Sequence, residues 1–143
     1  MKYLTFVMLF TAISFAGLAQ NKDAIIGKWI NSLNEAHIDI TKRGDKYFGK
    51  IVWLKDPKDE KGVTKIDLKN PNEKLRTKPI VGLEILKNFV YDDGRWTGGT
   101  IYDPKSGKTY KCNMKLNGND ELDMRGYIGF SLLGRTEIWK RVK

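Results

Sequence analysis

A chain of 143 residues has room for one domain, and 41% hydrophobic with 30% charged residues excludes both a disordered chain and a multispan membrane protein. Its 26 Lys and Arg against 17 Asp and Glu give a net charge of +9, which favours anionic partners without identifying one.

Residues 1–19 read MKYLTFVMLFTAISFAGLA, with a basic start at Lys2, an apolar stretch from Tyr3 to Phe15, and Gly17 and Ala19 at the −3 and −1 positions of a cleavage site. This predicts a secretory signal peptide removed after Ala19, leaving residues 20–143 as one domain. The apolar run is short of the roughly 20 residues that a spanning helix needs. Gln20, not Cys, follows the cut, so no lipid is attached there and no integral membrane segment is expected in the mature chain. The expectation is an exported protein, periplasmic or secreted. Cys112 is the only cysteine, which forbids an internal disulfide even in an oxidising compartment.

In chain order, Asp23-Ala24-Ile25-Ile26-Gly27-Lys28-Trp29 suggests a cap at Asp23, one helical turn, and entry into a first strand near Lys28 to Asn34. Next, EAHIDITKRGDKYFGKIVWL predicts a hairpin around Gly44 and Asp45, with Gly44 supplying positive φ. That loop sets Ile40 against Gly49, Ile38 against Ile51 and Ala36 against Trp53 on one apolar face. Asp39 then faces Lys50 on the opposite side, with His37 opposite Val52.

Residues 55–78 break the alternation and carry eight basic against five acidic side chains. Within them Asn70 is placed as a helix cap, Pro71 as the first helical residue and Glu73 to close a capping box, giving a short helix that Pro79 limits. Such an insert could cover one mouth of a barrel or plug it.

A strand near Ile80 to Tyr91 precedes a second hairpin, WTGGTIYDPKSGKTYKCNMKL, with Pro104 early in the turn and Gly107 as the left-handed exit residue. Its inward set is Trp96, Gly98, Thr100 and Tyr102 against Tyr110, Cys112, Met114 and Leu116. A third turn at Asn117-Gly118-Asn119 needs an odd number of loop residues to bring Leu122 and Met124 onto the same face. A last strand near Thr136 to Val142 completes seven to nine strands that all connect as antiparallel neighbours. This favours an all-β closed barrel or sandwich.

The Gly27-x-Trp29 entry resembles the start of a lipocalin or related calycin, which implies a Trp packed beneath an Arg of the last strand, here Arg141 or Arg135. DLKNPNEKLRTKPIVGLEIL at 67–86, GGTIYDPKSGKTYKC at 98–112 and LDMRGYIGFSLLGRTEIWKRV at 122–142 are more specific. Together they resemble the bacterial domain of unknown function 2147 family, small exported proteins similar to lipocalins in architecture. The resemblance implies an up-and-down, lipocalin-like barrel of about eight strands and brings no established activity. The matching positions include Gly27, Trp29, Asp67, Asn70, Pro71, Arg76, Gly99, Gly107 and Trp139, many of which serve backbone geometry.

No catalytic constellation emerges. His37 is the only histidine and faces away from the apolar side, which argues against a triad or a three-histidine zinc site, and no metal or cofactor is expected. Rings and lysines fall on opposite faces, which argues against nucleic acid. The interior is the remaining site. Ile38, Ile51, Trp53, Trp96, Thr100, Tyr102, Tyr110, Met114 and Met124 would line it, with Arg76 over the mouth pairing an anionic headgroup; Gly49 and Gly98 would leave room for a ligand. Gly27, Trp29, Asn70, Pro71, Gly107 and Arg141 are expected to be structural. The leading expectation is a protein holding an apolar or amphipathic molecule in its barrel. The alternative is a filled barrel whose basic outer surface engages an anionic envelope component or a partner protein.

Overall fold

The structure, a computed structural model, describes residues 21–127 and 134–143; the expected signal segment and residues 128–133 of the third motif lie outside the described residues. Eight antiparallel strands follow one another around a closed barrel: β1 (Gly27–Ile30), β2 (Ala36–Arg43), β3 (Lys46–Leu54), β4 (Glu84–Asp92), β5 (Arg95–Asp103), β6 (Lys108–Asn117), β7 (Glu121–Tyr127) and β8 (Arg135–Arg141). Pairing of Trp29 with Arg141 and of Ile30 with Lys140 closes the barrel by joining the short β1 to the carboxy-terminal end of β8. Apart from one 3-10 turn at Glu73–Leu75, the described chain is strand and loop.

Tight turns set the register at one end. Gly44 has φ 61°, and Ile40 opposes Gly49, Ile38 opposes Ile51 and Asp39 opposes Lys50, as the hairpin spacing requires. Asp93 and Gly94, with φ 45° and 81°, make the two-residue turn between β4 and β5. Three residues separate Asn117 from Glu121, which brings Leu122 opposite Leu116 and Met124 opposite Met114.

Four irregularities shift faces that simple alternation predicts. The register slips between His37 and Ile38, so Val52 becomes the extra residue of β3, Ala36 opposes Leu54, and His37 opposes Trp53. Trp53 therefore stands outside, 42% exposed, with its ring 4.4 Å from that of His37. Gly98, at φ 71°, is the extra residue of β5, so Gly99 and Ile101 turn inward in place of Gly98 and Thr100. In β4, Asn88 at φ 63° separates inward Leu86 from inward Phe89, and a second shift buries Ile85 beside Leu86.

The glycine space expected inside is occupied. A Cβ on Gly49 would lie 2.7 Å from Leu86, and one on Gly99 would lie 2.4 Å from the Phe89 ring, so both glycines are notches for neighbouring side chains.

The amino-terminal turn seals the end that carries the tight turns. Here Asn21, not Asp23, caps: its Oδ1 accepts from the Asp23 amide at 2.9 Å. The Asp23 carboxylate instead accepts from the Tyr47 hydroxyl at 2.6 Å and from Lys42 Nζ at 3.0 Å. Those two partners hold it below the usual carboxylate range. Buried Trp29 and Trp96 donate their indole N–H groups to the carbonyls of Ile25 and Lys22. Arg141, of the two arginines in question, lies 4.2 Å over the Trp29 ring and donates to the carbonyls of Ile26, Ala24 and Asn119. Three indole or phenol donors and one guanidinium thus clamp a single turn across the bottom of the barrel.

Candidate ligand cavity and its mouth

Above this packed layer the interior opens into a cavity of about 870 Å³. Its walls carry Ala36, Ile38, Ile51, Leu54, Ile85, Ile101, Cys112 and Met124, with Trp139 among the lining side chains. The mouth lies at the end opposite the amino-terminal turn, where Leu33 and Glu35 of the β1–β2 connection, Asp56, Lys65 and Ile80 of the β3–β4 connection, and Pro104 and Lys105 of the β5–β6 connection converge.

Polar groups on the wall are few. Glu137 shares the inward parity of Trp139 on β8, opposite inward Met124, and its side chain is 26% exposed. It accepts from Arg135, from Ser32 Oγ at 3.2 Å and, at 3.5 Å, from the Trp139 indole. Burial alone pushes this carboxyl up, but the Arg135 pair and the Trp139 and Ser32 donors overcome it and leave the group below its ordinary value. Arg135 is 81% exposed and reaches toward the mouth, so the pair links the wall to the rim. A second rim pair joins Lys105 to Glu35 at 2.7 Å. Cys112 is buried, and burial together with the Glu137 charge pushes its thiol up to about 12, so it is a neutral wall group.

The β3–β4 connection is tied down at three places. Lys55 donates its amide to the Glu35 carbonyl at 2.8 Å. Asp67, fully buried, accepts from the Tyr102 hydroxyl and from Asn70 Nδ2, both at 2.7 Å. Burial and the adjacent Asp67 push the Tyr102 phenol up to about 12, which keeps it a donor. Gly107, φ 74°, sits so close to Lys69 that a Cβ would lie 2.1 Å from the Lys69 carbonyl oxygen.

The expected short helix is displaced. Asn72, not Asn70, caps the 3-10 turn by accepting from the Lys74 amide at 3.1 Å, and Pro71 lies outside the turn altogether. Asn70 is instead the hub of the loop, since its Oδ1 accepts from the Asn72 amide at 2.8 Å and its carbonyl from Arg76 Nε at 2.8 Å. Glu73 faces Arg76 rather than closing a capping box.

Of the residues expected to line the barrel, Ile38, Ile51, Tyr102, Tyr110 and Met124 do so. Trp96 and Met114 are inward but buried outside the cavity lining, Trp96 reaching the carbonyl of Lys22. Thr100 and Trp53 are turned away by the Gly98 and Val52 irregularities. Arg76 donates to the Asn70 carbonyl and faces Glu73, so it braces the loop and is not among the residues that line the cavity. Glu137 and Arg135 were not expected as lining residues; their common parity with Trp139 is the signal that would have shown them.

Protein HP1028 from the human pathogen Helicobacter pylori, a solved structure described as belonging to the lipocalin family, has a similar fold: TM-score 0.72 at 24% identity, covering 82% of this chain and 82% of that one. No curated protein matches the chain in sequence. The fold is thus a lipocalin-like barrel, and because residues 27–141 match the family described as "Uncharacterized protein conserved in bacteria (DUF2147)", this chain belongs to that family.

Proposed function

We propose that the protein is an exported binder that holds one apolar or amphipathic molecule in the open half of its barrel. The cavity carries the reading. At about 870 Å³ it falls within the roughly 300–1,000 Å³ of small-molecule sites. Aliphatic wall residues favour a hydrocarbon or ring, while Tyr110 and the Glu137–Arg135 pair supply polar groups on the mouth side. An amphipathic ligand would place its tail against Ile38, Ile51 and Met124 and its head by Arg135, displacing the guanidinium from Glu137 only if the head is anionic. The signal pattern of residues 1–19 supports export.

The test is native mass spectrometry, with organic extraction, of the protein isolated from its own cells. A reproducible added mass that extracts as a lipid or other apolar compound is expected. A ligand-free mass that persists after exposure to fatty acids and phospholipids would overturn the proposal.

A further inference from the structure

Among the described residues, three large apolar side chains are more than half exposed, Leu68 at 68%, Leu33 at 61% and Val63 at 60%, and all three stand at the mouth end. Leu33 belongs to the β1–β2 connection and lines the mouth. Val63 and Leu68 lie on the β3–β4 connection, which the Lys55–Glu35, Asp67–Tyr102 and Lys69–Gly107 contacts hold across that end. Exposed lysines alternate with them: Lys58, Lys61, Lys69 and Lys74. Of the five acidic residues in 55–78, Asp67 is fully buried and the other four are exposed, against six exposed lysines, Lys55, Lys58, Lys61, Lys69, Lys74 and Lys78, so the outer face of the segment keeps a basic surplus.

We propose that this end of the barrel docks on an anionic lipid bilayer. Leu33, Val63 and Leu68 would enter the boundary between headgroups and acyl chains while Lys58, Lys61 and Lys69 meet the phosphates. Isolated apolar side chains set among lysines suit such a boundary better than a protein partner, whose interface core favours contiguous apolar surface with few charges. A lysine can lay its methylene stem beside the apolar groups and keep its ammonium at phosphate level. Docking would also turn the mouth toward the lipid, so that an amphiphile could enter without crossing water; that last step rests on the proposed function, and the docking itself does not.

The test is co-sedimentation of the purified chain with vesicles of phosphatidylcholine alone and of phosphatidylcholine with phosphatidylglycerol, at low and high salt. Binding is expected to be stronger on the anionic vesicles than on the neutral ones, with the excess weakened by salt. Leu33→Ser, Val63→Ser and Leu68→Ser combined should lower the partition coefficient at least about tenfold. Lys61→Glu and Lys69→Glu should each lower it about fivefold or more. Ile138→Ser, an apolar exposure on the outer wall of β8, is the control and should leave it unchanged. Residues 1–19 are common to every variant, so differences between variants report the mouth alone. Equal partition onto neutral vesicles, loss in the Ile138 control, or no loss in the mouth variants would overturn the docking proposal. The added mass read by native mass spectrometry is independent of these outcomes, so the two readings fail separately.

Discussion

The two ends of this barrel are built on opposite rules. At the amino-terminal end Trp29, Trp96, Tyr47 and Phe89 are essentially fully buried, each polar ring atom has a partner, and glycine notches at 49 and 99 admit neighbouring side chains. At the mouth the walls stand apart around a cavity, and charged pairs sit on the rim. Large aromatic burial therefore supplies cohesion in one half and leaves the other half free to keep a hollow. Substitutions at the two ends should differ accordingly.

The largest expected effect comes from the sealed end. Trp29→Ala removes a fully buried ring, its bond to Ile25 and the platform beneath Arg141, and should cost about 3–5 kcal/mol. Tyr110→Ala, on the cavity wall, deletes a ring that already borders open space and should cost about 1 kcal/mol or less. Urea unfolding of both variants reads the contrast; equal losses would mean that the two halves share one packing regime.

Two glycines sharpen the contrast. A methyl group on Gly99 would collide with the Phe89 ring, so Gly99→Ala should destabilise by about 1–3 kcal/mol. At Gly126, on the cavity wall, the nearest atom to a Cβ is Ile101 at 3.7 Å. Gly126→Leu should therefore narrow the cavity with little change in stability, within about 0.5 kcal/mol, while reducing the fraction of protein that carries the added mass in native mass spectrometry. A drop in stability like that of Gly99→Ala would show that the space above Gly126 is needed by the fold.

These contrasts mark what was legible in the sequence. Where turn chemistry and alternation agree, as at Gly44 or around Leu116 and Leu122, registers follow from spacing alone. The cavity wall was harder to read, because a single extra residue reverses every face beyond it. Val52 and Gly98 are such residues: the first expels Trp53, and the second exchanges Thr100 for Ile101. Nothing local announces Val52, whereas Gly98 beside Gly99 carries the signal of a bulge. Glu137 was hidden for another reason. A charged residue on a strand reads as outward, and the Arg135 pair with the Ser32 and Trp139 donors makes its inward position tolerable. Arg76 looked free because the loop that captures it has no periodicity.

The next effect is local. Gly107→Ala forces a methyl group against the Lys69 carbonyl at a left-handed φ, so it should undock the β3–β4 connection without unfolding the barrel. Limited proteolysis within residues 55–82 should accelerate several-fold while the urea midpoint moves little. Protection equal to that of the parent protein would mean that Asp67 and Tyr102 suffice to hold the loop.

The smallest effect tests the rim through pH. Glu137 titrates below its ordinary value of 4.5, so the folded state binds fewer protons there than the unfolded chain does. The contribution is therefore full above about pH 4.5 and is lost as pH falls through the lowered value. Because Arg135 is 81% exposed, solvent screening limits the pair to about 0.5–1 kcal/mol. Glu137→Gln should thus be less stable than the parent by about that amount at neutral pH, and the gap should close as the medium is acidified toward pH 3. A gap that persists in acid would mean that Glu137 acts through packing against Trp139, and the charged link between wall and mouth would have to be abandoned.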